Sequence, residues 1–80
     1  MNGQRLSREE RELERMQRLV TQGQLADRRR KELIYKLHQD GLTQVEIAAR
    51  LDRASRAVGG DGVGEDAVNK LISRARRAYA

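Results

Sequence analysis

The sequence predicts an all-α protein of four helices, and three observations predict it. Its 80 residues contain no proline and no strand-like alternation of useful length. Apolar residues recur at three- and four-residue spacing in four separate stretches. Glycine-bearing breaks stand between the stretches, at Gly23, Asp40-Gly41 and Gly59-Gly60-Asp61-Gly62.

The first helix is predicted to begin after Ser7, with Glu10 three residues on completing a capping box. Leu6, Leu13, Met16, Leu19 and Val20 share one face, and the remaining positions are mostly Arg and Glu, spaced to pair along the helix. Gly23 ends it. The second helix is expected from about Leu25 to Gln39, with Leu33, Ile34 and Leu37 as its stripe and Leu25 and Ala26 at its start. The third opens with a second capping box, Thr43 and Glu46. Val45, Ile47, Ala48 and Leu51 are assigned to its buried face. Ala54, Ser55 and Val58 keep the same spacing, so it ends either near Leu51 or near Ala57. The fourth is expected from about Glu65 to Arg77 or beyond, with Gly64 as its cap. Val68, Leu71, Ile72, Ala75 and Tyr79 form its inner face, and Asn69, Lys70, Ser73, Arg74, Arg76 and Arg77 its outer one.

Composition narrows the function. The net charge is +5, carried by 17 basic residues of which 14 are Arg. That balance suits a polyanionic partner, because Arg offers a planar fork to phosphates and guanine edges; a high-GC coding bias is the plain alternative source of the Arg. There is no Cys and a single His, His38, so thiolate metal sites and Cys nucleophiles are excluded. No glycine-rich phosphate loop or calcium loop is matched, and the chain is read as a non-enzyme without cofactor or metal. No stretch approaches the length of a membrane span, so the expected address is cytoplasmic and nucleoid-associated. Two aromatic residues, Tyr35 and Tyr79, disfavour binding of single strands by base stacking.

The most informative pattern joins residues 41–51 to 62–77. Without the ten residues Asp52 to Asp61, the two segments read GLTQVEIAARL-GVGEDAVNKLISRARR. That line resembles the helix-turn-helix of bacterial and phage transcription regulators, especially the promoter-reading C-terminal region of sigma factors. The resemblance covers about residues 28–77. It departs from the family in its long turn, thirteen residues between Leu51 and Glu65, and in Gly64, where the family usually has Ser or Thr.

The resemblance implies a C-terminal domain, 25–80, in which three helices form a helix-turn-helix with a long inserted turn. It implies sequence-specific binding of double-stranded DNA, with helix 65–79 in the major groove. By position, Glu65, Asp66, Asn69, Lys70 and Ser73 would contact bases. Asn69 suits adenine, Lys70 guanine, and Glu65 or Asp66 cytosine. Arg74, Arg76 and Arg77 would hold phosphates, with Thr43 and Gln44 at the start of the supporting helix. Arg28, Arg29, Arg30 and Lys31 form a further cluster, which either grips the DNA backbone or is a solvated helix start. Arg53 and Arg56, in the inserted segment, either reach phosphates or decorate a surface loop. Asp66 and Arg77 also have ordinary uses at the two ends of a helix.

Residues 1–24 make a separate amphipathic helix, for packing or dimerisation, and 7–22 are the candidate homodimer contact. The alternative function is a protein-interaction module that binds RNA polymerase or a sigma factor, or associates with itself through this helix.

Overall fold

The computed structural model describes residues 6–79; residues 1–5 and 80, the outer ends of the two expected domains, lie outside them. It contains four helices, α1 (Arg8–Thr21), α2 (Asp27–Gln39), α3 (Gln44–Ala57) and α4 (Glu65–Tyr79), and no strand among the described residues. The class is all-α.

Local chemistry sets most helix ends. The Ser7 hydroxyl accepts from the Glu10 N–H at 3.1 Å, and the Glu10 carboxylate accepts from the Ser7 N–H at 2.9 Å. Thr43 and Glu46 repeat the arrangement at 3.1 and 2.8 Å. Each box satisfies two otherwise unpaired N–H groups of a first turn. α1, α2 and α3 all stop at a glycine in the left-handed region, Gly23, Gly41 and Gly59. In each case the two N–H groups at and after the glycine fold back to carbonyls of the last turn, as from Gly41 to His38 at 3.2 Å and from Leu42 to Leu37 at 3.0 Å.

Three expected core positions are corrected, of which Tyr79 is one: placed at the end of the α4 inner face, it packs on Tyr35 but stays exposed. Leu25 lies before α2 and is fully exposed, while Ala26 is buried. The Ala26 N–H donates to the Gln24 carbonyl at 3.0 Å, and this tight turn puts Leu25 at its apex. Val45 is also exposed. Two residues of helix rotate it by about 200° from Ile47, so Val45 and Ile47 cannot share a face.

α1 packs against α2 and α3, and α4 packs against α2 and, less extensively, α3. α2 and α3 touch briefly, while α1 and α4 do not touch. The helices therefore form a ring in the order α1, α2, α4, α3, with α1 and α4 at opposite corners. Leu13, Leu33, Ile34, Ile47, Leu51 and Val68 fill the centre with almost no exposure and belong to one cluster. Because Leu13 and Met16 are part of that cluster, the apolar side of α1 is occupied by the protein itself. Residues 7–22 offer a second copy only their outer, charged side.

The inserted segment is not simply an enlarged turn. Asp52 to Ala57 continue α3, with Ala54 and Ser55 buried, and the connection to α4 shrinks to residues 58–64. The added helical turns hold that connection. Asp52 accepts from the Val63 N–H at 3.0 Å, and the Ser55 hydroxyl accepts from the Gly62 N–H at 3.3 Å. Gly62 has φ of +94°, and a Cβ there would stand 2.2 Å from the Asp52 carboxylate. Only glycine meets both conditions without moving the loop.

Three of the four carboxylates of α1, those of Glu10, Glu12 and Glu14, reach across to other helices instead of pairing along their own. Glu10 accepts from Arg50 of α3 at 3.1 Å, and Glu14 pairs with Arg53 of α3. Glu12 receives the Arg29 fork from α2, at 2.7 and 2.9 Å. Burial opposes ionisation of Glu10, but hydrogen bonds from Ser7 and Arg50 outweigh it and hold its carboxyl below the usual 4.5. The Arg29 hydrogen bond lowers Glu12, and the Thr43 N–H lowers Glu46. Asp27 is lowered too, where Arg30 and Lys31 overcome its desolvation. Depressed carboxyls stabilise the fold above their unfolded values, and that contribution is lost as pH falls through the folded ones. The melting temperature is expected to stay level near neutrality and to drop progressively below about pH 5. Thermal melts followed by circular dichroism check this, and a flat profile down to acid pH would refute it.

Candidate nucleic-acid interface

α4 is built as a two-sided helix. Val68, Leu71, Ile72 and Ala75 face the core, and Glu65, Asp66, Asn69, Lys70, Ser73, Arg74, Arg76 and Arg77 are exposed. The Gly64 carbonyl accepts the first helical bond, from the Val68 N–H at 3.1 Å, so Gly64 occupies the cap position despite lacking a hydroxyl. Glu65 and Asp66 lie in the first turn and Arg76 and Arg77 in the last, matching the helix dipole at both ends. Asn69, Lys70, Ser73, Arg74 and Arg77 line one shallow, open depression on the outer face. Three of the five residues assigned to bases are thus adjacent to two assigned to phosphates. Tyr79 closes the helix by packing its ring 5.6 Å from that of Tyr35, which anchors the basic end of α4 to α2.

The basic residues divide into two groups. Among the described residues, Lys70, Arg74, Arg76 and Arg77 make no ion pair, and neither does Arg28. The rest of the expected phosphate-binding set is engaged within the fold. Arg29 bonds Glu12 and Glu32, and these partners hold its guanidinium firmly protonated. Arg30, whose side chain is only 11% exposed, bonds Asp27 and donates to Gln17 at 2.6 Å. Lys31 lies 3.5 Å from Asp27. Arg53 pairs with Glu14, and Arg56 donates to Asp52 at 3.1 Å. The acidic first turn and cross-helix Glu12 therefore neutralise a cluster that would otherwise oppose the α2 dipole. The Thr43 hydroxyl is committed to its cap, and Gln44 is half-buried behind it.

One basic group escaped the sequence reading. Arg8, Arg11, Arg15 and Arg18 were expected to pair with the glutamates of α1. Glu10, Glu12 and Glu14 turn to α2 and α3, and the four arginines make no ion pair among the described residues. Their spacing of three, four and three residues was visible, but the fate of their neighbours was not.

No group of acidic residues or histidine suited to a metal occurs among the described residues, and no helix there is long and apolar enough to cross a membrane. Comparison with known proteins returned no matching family model, curated protein or solved structure.

Proposed function

We propose that the protein binds duplex DNA in a sequence-specific manner through α4, as a bacterial or phage transcription regulator acting in the cytoplasm at the nucleoid. The observation that carries this reading is the outer face of α4. Asn69, Lys70 and Ser73 line one depression together with Arg74 and Arg77, and its cations have no carboxylate partner among the described residues. An α-helix is about 10–12 Å across, and the major groove is about 12 Å wide. Asn69 and Lys70 carry the hydrogen-bonding groups for base edges, and the arginines carry those for phosphates. The helix-turn-helix resemblance of residues 41–51 and 62–77 supports the same orientation.

A second reading, docking on RNA polymerase or a sigma factor, draws on a different surface. Val45, Ala49 and Val63 line an apolar depression where α3 meets the start of α4. Selection of bound sites from a random duplex pool, near physiological salt, separates the two. The DNA reading expects an enriched motif whose binding weakens steeply as salt rises. No retained DNA, with a polymerase or sigma-factor complex that survives high salt, would replace it with the second.

A further inference from the structure

The outer side of α1 is a second basic face, remote from α4. Taking Leu13 as the inward direction, Arg8, Arg11, Arg15 and Arg18 all fall on the opposite half of the helix. With Glu12 at their margin they line one open depression. Glu12 forms no ion pair with them, since both of its oxygens are held by Arg29, although its charge is felt by Arg15. Glu10 and Glu14 point to α3, where Arg50 and Arg53 hold them. The stripe runs from Arg8 to Arg18, about 15 Å along the axis. Over that length a duplex presents a charge roughly every 1.7 Å. No apolar side chain lines the depression, so a polyphosphate backbone is the chemistry it fits.

Position gives this stripe its consequence. α1 and α4 sit at opposite corners of the ring with no close backbone approach, and each turns its apolar side to the shared core, so their outer faces lie on opposite sides of it. One duplex lying against α4 cannot also cover α1. We propose that the stripe Arg8, Arg11, Arg15 and Arg18 binds the backbone of a second DNA duplex, so that one protein molecule bridges two segments. α4 reads sequence, and the α1 arginines are assigned to phosphates, so that the second duplex is held through its backbone. The bridging rests on the α4 reading given above.

The test uses the full chain, one duplex fixed on beads and a second, labelled duplex of unrelated sequence in solution. The wild type is expected to hold the labelled duplex on the beads. The variant R8Q/R11Q/R15Q/R18Q should still bind the fixed duplex but retain about tenfold less of the labelled one, at a salt where backbone contacts count. All four side chains lie on the outer side of α1, and an unchanged helical spectrum confirms that the variant folds. Wild-type protein that binds the fixed duplex and never retains the second overturns bridging alone. Bridging that persists in the variant also overturns it, and assigns the second site to another copy of the chain. Retention by anionic lipid vesicles that the variant loses, without capture of a second duplex, reassigns the stripe to a membrane surface. Failure to bind even the fixed duplex overturns the α4 reading as well.

Discussion

Replacing Leu13 with alanine is expected to destabilise the whole protein by about 2–5 kcal/mol. Leu13 is fully buried and belongs to the cluster that contains Ile34, Ile47, Leu51 and Val68. Removing its branched end leaves a cavity where α1 meets α2 and α3, and Met16 is the only long, flexible side chain in the core that could move toward it. Domains of this size are stable by only about 0.05–0.15 kcal/mol per residue, so the loss takes a large share of the total. Arg15→Ala, on the far side of the same helix, should change stability by no more than about 0.5 kcal/mol. Denaturant melts of the two variants measure the difference. A detachable dimer arm would behave otherwise, since Leu13→Ala would then alter the association state and leave the melting of α2, α3 and α4 intact. Coincident loss of all helical signal is the result that ties α1 to the fold.

The second large effect is on DNA binding. The variant K70Q/R74Q/R77Q should weaken duplex binding at physiological salt by an order of magnitude or more, and reduce the slope of log affinity against log salt by about 0.9 for each phosphate contact removed. Asn69→Ala should cost about 1–3 kcal/mol at the preferred site and relax base preference there, with the salt slope unchanged. Arg29→Gln makes the informative contrast. Its guanidinium joins α2 to α1 through Glu12, so its loss should lower the melting temperature and leave the DNA salt slope alone. Titrations at several salt concentrations check all three. If Arg29→Gln changes the slope as much as the α4 variant does, the Arg28 to Lys31 cluster touches DNA after all.

These contrasts follow from where the charges go. The +5 of the chain is not spread evenly over the surface. Glu10, Glu12 and Glu14 of α1 pair with arginines of α2 and α3 across helices, and Asp27 and Asp52 pair with Arg30 and Arg56 within their own helices. Uncompensated cations are left mainly on the outer sides of α1 and α4. Surface pairs contribute little energy singly, but the pairs that join α1 to its neighbours also decide which arginines remain available to a ligand.

Helix number, both capping boxes, the glycine stops and the two-sided pattern of α4 were legible from residue order. Each depends on groups three or four positions apart, and the backbone brings such groups together in any helix. The outer face of α4 was legible for the same reason, because Val68, Leu71, Ile72 and Ala75 define the inner side and leave Asn69, Lys70 and Ser73 opposite. Val45 was assigned inward against its own spacing from Ile47, and spacing alone could misplace a residue just outside a helix, as with Leu25. Tertiary structure alone decided the rest. Arg29 meets Glu12 across 17 positions, Arg53 meets Glu14 across 39, and Arg50 meets Glu10 across 40. Those partners depend on which helices become neighbours, and α1 has local Arg–Glu spacings that compete equally well. The extension of α3 to Ala57 was an open alternative in the sequence, and the loop that folds back onto Asp52 and Ser55 shows how it is held. The separation of two basic faces belongs to the same class. It exists because α2 and α3 lie between α1 and α4, an arrangement set by the shared core and by no local signal in either helix.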